Sequence, residues 1–180
     1  WAAEGWTTAD VLMAETGNVS TACMNAVGMR PMTWHEGTKG GRSLEMAITN
    51  NGRKLPVAVP EDFANDPTAA TPYFTADGQW FYFSSARQGG LGGSDLYRCK
   101  WNSARKEWST AENLGAPINS EYDEEGAFLT ADGNTMYFAS EGNSSIAGYD
   151  QVSRQYDQGP STAPRNLAWP VHSPGDDRDL

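Results

Sequence analysis

"TPYFTADGQWFYFSS" (71–85) returns as "GAFLTADGNTMYFAS" (126–140), and no other feature of the chain narrows the choice of fold as much. Asp77 matches Asp132, Tyr82-Phe83 matches Tyr137-Phe138 and Ser85 matches Ser140, each at an offset of 55. Asp95 in "GGSDLY" and Asp150 in "IAGYDQV" keep that offset, and "NLGAPINS" (113–120) returns as "NLAWPVHS" (166–173) at an offset of 53. A weaker copy precedes these: "SLEMAIT" (43–49) stands where "DLYRCKW" (95–101) does, and "FANDPTAATPYF" repeats the approach "INSEYDEEGAFL". The closing "SPGDDRDL" looks like the approach to one more copy. Repeats of this length mark arrays of like units, each burying an apolar face on the next.

Within a unit the pattern is β. "YFT" and "WFYFSS" flank Ala76-Asp77-Gly78, and an Asp-Gly pair between aromatic or alternating runs predicts a tight hairpin with positive φ at both turn residues. "SDLYRCKW" reads as a third strand, and "WSTAENL" leads into a short fourth. Four strands in a unit of this length predict the blade of an all-β propeller, with Tyr-Phe pairs filling the core between blades. A β-sandwich with accidental internal similarity is the competing fold.

"TADGQWFYFSSARQGGLGGSDLY" and "NLGAPINSEYDEEGAFLTADGNTMYFAS" resemble the WD40-like β-propeller repeats of Tol-type periplasmic proteins and of OmpA-associated envelope proteins. The resemblance covers residues 43–180, with complete units at about 71–120 and 126–173. Residues 1–42 match poorly; "VLMAET" there could be one strand of a degenerate blade. The resemblance implies a ring of about five to eight blades. Two complete units cannot close such a ring, so further chain, or another subunit, is expected to complete it; the sequence looks cut at Leu180. The resemblance also implies a periplasmic or outer-membrane-associated location, with envelope proteins as partners.

"SSARQGGLGGSD" (84–95) raises the question of a phosphate cradle. A P-loop needs a Lys and a following helix, and a dinucleotide loop needs GxGxxG in a similar setting. "QGGLGGSD" has neither, and "LYRCKW" behind it reads as a strand, so this stretch is expected only to turn the chain. In an up-and-down blade, loop 86–94 then shares a face with the blade-to-blade crossing "NSEYDEEG" (119–126), while the Asp-Gly turns and "NSARKEW" lie on the other. One face thereby collects Arg87, Glu121, Tyr122, Asp123, Glu124 and Glu125, joined by Asp176, Asp177 and Arg178 from the next crossing. These form the candidate partner-binding surface.

Other chemistries find less support. "EYDEE" could ligate Ca²⁺ through several oxygens, but it is not an EF-hand loop, and charge runs are usually solvated. Asp123 and Glu125 could act as an acid/base pair in a glycosidase, which makes a carbohydrate-active enzyme or glycan-binding module the alternative function. Against an enzyme, the acidic crossing has counterparts at "FANDPTAA" and "SPGDDRD", whereas catalytic residues normally occur once. "TADGNTMYF" lacks the Trp of a sialidase Asp-box. His35 and His172 lie far apart without metal-binding or catalytic spacing, and no GxSxG elbow is present. Trp101, Trp108 and Trp169 could stack on sugar, although "WFYF" and "MYF" read as core. No cofactor or catalytic residue is expected.

Bulk properties agree with a binding or structural part. Thirteen Lys and Arg against 23 Asp and Glu leave a formal charge of −10, which argues against a nucleic-acid partner. No apolar run approaches the roughly 18 residues of a membrane span. "WAAEGWTTAD" has neither the basic region nor the apolar core of a signal peptide and no initiator Met, as expected of a mature protein or an excised piece. Cys23 and Cys99 could form one disulfide or be two buried thiols.

Overall fold

In a computed structural model the chain is described at residues 58–75, 77–142, 148–155 and 163–167, and as backbone alone in the strands Val19–Met24, Pro31–Glu36, Arg42–Ile48 and Arg53–Val57. Those four strands, β1 to β4, form an antiparallel sheet in sequence order. The segment aligned by repeat with a third strand is the third strand of that sheet, and the sheet begins well before residue 43. "VLMAET" lies outside the described residues.

A single helical turn, α1 (Glu61–Ala64), leads to the second sheet: β5 (Ala70–Phe74), β6 (Trp80–Ser85), β7 (Asp95–Asn102), β8 (Glu107–Trp108) and β9 (Glu112–Asn113). The third sheet runs β10 (Glu124–Leu129), β11 (Thr135–Ser140), β12 (Asp150–Gln155) and β13 (Arg165–Asn166). The expected short fourth strand of the second sheet is delivered in two pieces, because β8 and β9 both pair with β7. Between them the chain leaves the ladder, and the Ala111 amide donates to the Asp62 carboxylate of the preceding crossing (2.6 Å).

The hairpins form where expected, by different turn chemistry. Gly78 (φ 66°) and Gly133 (φ 71°) are left-handed, but Asp77 and Asp132 are not. The loop is longer than two residues: the Gly78 amide donates to the Thr75 carbonyl, and the Thr75 amide to the Trp80 carbonyl. Asp77 instead accepts from the Thr75 hydroxyl and the Gln79 amide, and Asp132 does the same with Thr130 and Asn134. An aspartate that satisfies turn donors with its side chain needs no positive φ of its own.

Strand alternation sends neighbouring aromatics to opposite sides of the second sheet. Phe74, Phe81, Phe83, Tyr97 and Cys99 join one core cluster, plugged by Phe63 of α1, whose ring stands edge-on to Phe81 (5.1 Å) and Phe83 (5.6 Å). Tyr73, Tyr82, Leu96 and Ile118 face the other way and pack on Ala127, Leu129, Met136, Phe138 and Val152 of the third sheet. Tyr73-Phe74 and Tyr82-Phe83 are thus each divided between two core clusters, whereas in Tyr137-Phe138 only Phe138 is core and Tyr137 is half-buried; a fully buried aromatic contributes about 1.5–3 kcal/mol by burial. Cys99 is a free, buried thiol, held out of a disulfide and pushed up to about 12 by burial and then by the Asp62 charge. The Cys23 side chain lies outside the described residues.

Candidate functional site

The glycine-rich loop does hold an anion, and the anion is the chain's own. Asp95, buried at the start of β7, accepts from the amides of Leu91 (2.6 Å) and Gly92 (3.0 Å) and from Asn113 Nδ2 (2.7 Å). A methyl on Gly90 would crowd the Asp95 carboxylate, and one on Gly92 would collide with the Tyr122 carbonyl. These glycines permit close approach of two loops, and backbone amides converging on one carboxylate make the loop rigid. The third sheet repeats the asparagine contact: Asn166 Nδ2 donates to Asp150 at 3.0 Å.

The crossing 114–123 is tied to the same framework. Buried Asn119 replaces a strand partner for Leu96, accepting from its amide (2.9 Å) and donating to its carbonyl (2.9 Å), and also donates to Asn113. The Ser94 amide donates to Asp123 (2.7 Å), the Glu124 amide to the Ser94 carbonyl (2.7 Å), and the Glu141 amide to the Asp123 carbonyl (3.0 Å). Loops 86–94 and 119–126 therefore share a face, as the up-and-down topology requires.

The residues assigned to that face by sequence take different places. Glu121 and Tyr122 are exposed; Asp123 is half-buried, bonded to Ser94 and within 3.3 Å of the Tyr149 hydroxyl; Glu125 is half-buried on β10. Glu124 is fully buried and cannot be presented to a partner: it accepts from the Ser120 hydroxyl, the Ser120 amide and the Ser140 hydroxyl. Burial pushes its carboxyl up, against the Ser120 and Ser140 hydrogen bonds, and the Asp95 charge adds to the rise.

Arg87 is likewise turned inward. It bridges Asp66 (2.8 Å) and the Asp62 carbonyl, with its guanidinium over the Phe83 and Tyr97 rings at 5.1 and 4.8 Å. This clamp joins the first crossing to the second sheet through a half-buried cation–π and ion-pair contact. Asp176, Asp177 and Arg178, with His172 and Trp169, lie outside the described residues. Sequence reasoning passed over Leu91 and Glu141, both exposed on this face. Among the described residues no group of three or more His, Cys, Asp or Glu is placed to hold a metal ion.

Asp66 gives the site a pH signature. Burial acts to raise its pKa, but hydrogen bonds from Ser85, Thr68 and Arg87 outweigh it and bring it to about 2, below its ordinary 3.8. A carboxylate depressed in the folded state stabilises the fold above its unfolded pKa and loses that contribution as pH falls. Between pH 3.8 and 2 the chain is therefore expected to lose about 1–2 kcal/mol from this group, a figure reduced for its remaining solvent contact. Thermal melts across that window check this: Asp66→Asn should flatten the slope, and an unchanged slope would exclude the contribution.

Successive antiparallel sheets with strands paired in sequence order, the fourth strand of the second delivered in two pieces and the second and third packed face to face through a shared core, define a β-propeller fold. A putative TolB from Agrobacterium tumefaciens is similar to this chain with a TM-score of 0.50 and 14% identity, over 84% of this chain and 50% of that one. TolB from Acinetobacter baumannii aligns at a TM-score of 0.48 and 16% identity, over 78% and 30% of the two chains. A chain from a structural and mechanistic analysis of two prolyl endopeptidases aligns at 0.46 and 14%, over 83% and 22%. At these identities the likeness is one of fold, and this chain spans half or less of each of those proteins. No family model and no curated protein matches the chain.

Proposed function

We propose that this chain is a non-catalytic β-propeller part of a bacterial cell-envelope assembly, periplasmic or outer-membrane associated, that binds a protein partner through the face formed by loops 86–94 and 119–126. One observation carries the reading: on that face the buried polar groups Asp95, Asn119 and Glu124 hold the loops to each other, and Glu121 and Tyr122 are left outward on a rigid support. Chemistry on a glycan would require a pair of carboxylates free to reach substrate, and of the pair Asp123 and Glu125, Asp123 is engaged by the Ser94 amide and the Tyr149 hydroxyl. The envelope setting is supported by the TolB-like fold and by the repeat resemblance. No helix among the described residues is long and apolar enough to cross a membrane.

The test is affinity capture from envelope extract on the immobilised chain at low and then moderate salt, with mass spectrometry of what elutes. A specific protein released by salt is the expected result. Capture of polysaccharide alone, or of nothing, rejects the reading and directs attention to glycan cleavage.

A further inference from the structure

Among the described residues three large apolar side chains are strongly exposed: Leu91 (53%), Tyr122 (50%) and Phe128 (43%). Two of them meet. A methyl on Gly92, next to Leu91, would strike the Tyr122 carbonyl, and the Tyr122 ring lies over Gly142. Neither is exposed because its loop is loose. The Leu91 amide is bonded to buried Asp95 (2.6 Å), and the Tyr122 amide to Ser120 (3.2 Å), itself fastened to buried Glu124. Rigid apolar anchors lose little conformational freedom on binding, and tyrosine is prominent among interface hot spots.

Among the described residues the exposed charge beside this pair is negative. Glu121 and Glu141 are exposed beside it, the Glu141 amide being bonded to Asp123. Arg87, one of the two arginines that sequence topology placed on this face, is sequestered by Asp66 and two aromatic rings, and Arg178 lies outside the described residues. Lys100 lies towards the other end of β7, about 17 Å along the strand, and Arg105 and Lys106 lie in the turn beyond it. An apolar pair framed by carboxylates is complementary to a segment that carries an aromatic or aliphatic anchor between lysines or arginines.

From this juxtaposition we infer that Leu91 and Tyr122, framed by Glu121 and Glu141, form the docking centre for a basic, aromatic-bearing segment of a protein partner. The inference rests on the loop-face reading above and specifies the partner's chemistry.

The test uses the whole chain and three fluorescein-labelled twelve-residue peptides read by fluorescence anisotropy: lysine-rich with two tryptophans, the same with serines for the tryptophans, and the tryptophan peptide with glutamates for lysines. The lysine–tryptophan peptide should bind about 10-fold more tightly than its serine counterpart, and the glutamate peptide should not bind. Tyr122→Ala should erase the tryptophan preference; Leu91→Lys, at a site remote from Gly142, should do so independently if Tyr122→Ala proves unstable. Glu121→Gln and Glu141→Gln should each weaken both lysine peptides about 2- to 4-fold, an effect that fades in high salt.

Equal binding of the tryptophan and serine peptides, or a preference that survives both anchor substitutions, overturns the inference. An envelope protein captured equally well by Leu91→Lys and Tyr122→Ala also overturns it while leaving the loop-face reading intact. Peptide discrimination with no captured protein would instead reject that broader reading and retain the patch's preference.

Discussion

Asp95→Ala is expected to destabilise the chain by about 3–5 kcal/mol, the sum of donors left without an acceptor in a buried place. Three groups lose their partner at once: the Leu91 amide, the Gly92 amide and Asn113 Nδ2. Asn113 also accepts from Asn119 (2.8 Å), which holds both backbone groups of Leu96, so the loss spreads into the crossing. Asp95→Asn should recover little, because its amide group would face donors. Urea unfolding gives the free energy, and hydrogen exchange at Leu91 and Gly92 reports the loop. A cost under about 1 kcal/mol would mean that water replaces the carboxylate and that the glycine loop is not organised by it.

The second large effect separates two positions that the repeat treats as the same. Tyr73 and Phe128 stand at an offset of 55, yet Tyr73 is 6% exposed and Phe128 is 43% exposed. The Tyr73 hydroxyl donates to the Leu129 carbonyl (3.0 Å), and its ring packs against Phe128 at 5.3 Å within the interface of the second and third sheets. Tyr73→Ala should cost about 3–5 kcal/mol, as expected for an aromatic core truncation, and Phe128→Ala about 1 kcal/mol. Equal costs would show that something covers the Phe128 face in solution, since area removed from water sets the difference. The pair of melts therefore reads whether the Phe128 face is covered in solution.

Much of this architecture is legible in the residues. Aromatic alternation and Asp-Gly turns are local signals, and their recurrence reports like units, so hairpins, strand order and the sharing of one face by loops 86–94 and 119–126 all follow from the chain itself. The turn geometry was less legible. Whether an Asp-Gly pair takes a two-residue turn or one in which Asp77 gathers Thr75 and Gln79 depends on the hydroxyl just upstream. The role of Asp95 had a signal that was readable in retrospect: an aspartate and a later asparagine recur together, at 95 and 113 and again at 150 and 166.

The site was read too evenly. In "EYDEE" the acids look alike, but Glu124 is enclosed by Ser120 and Ser140 while Glu121 meets solvent. A β-bulge between Glu125 and Phe128 shifts the strand register just after the acidic run, and the sequence does not announce it. Arg87 looked like a surface cation because its acceptor, Asp66, comes from the preceding crossing and becomes visible only when the loops are packed together.

Sequence alone determined the period, the β character and the order of strands within each unit, since these depend on side-chain alternation and turn chemistry over a few neighbours. Tertiary structure decided which carboxylates turn inward, which arginine is neutralised and which apolar residues stay in water. A charge is buried only where donors from another loop compensate its desolvation, and those donors are brought together by folding.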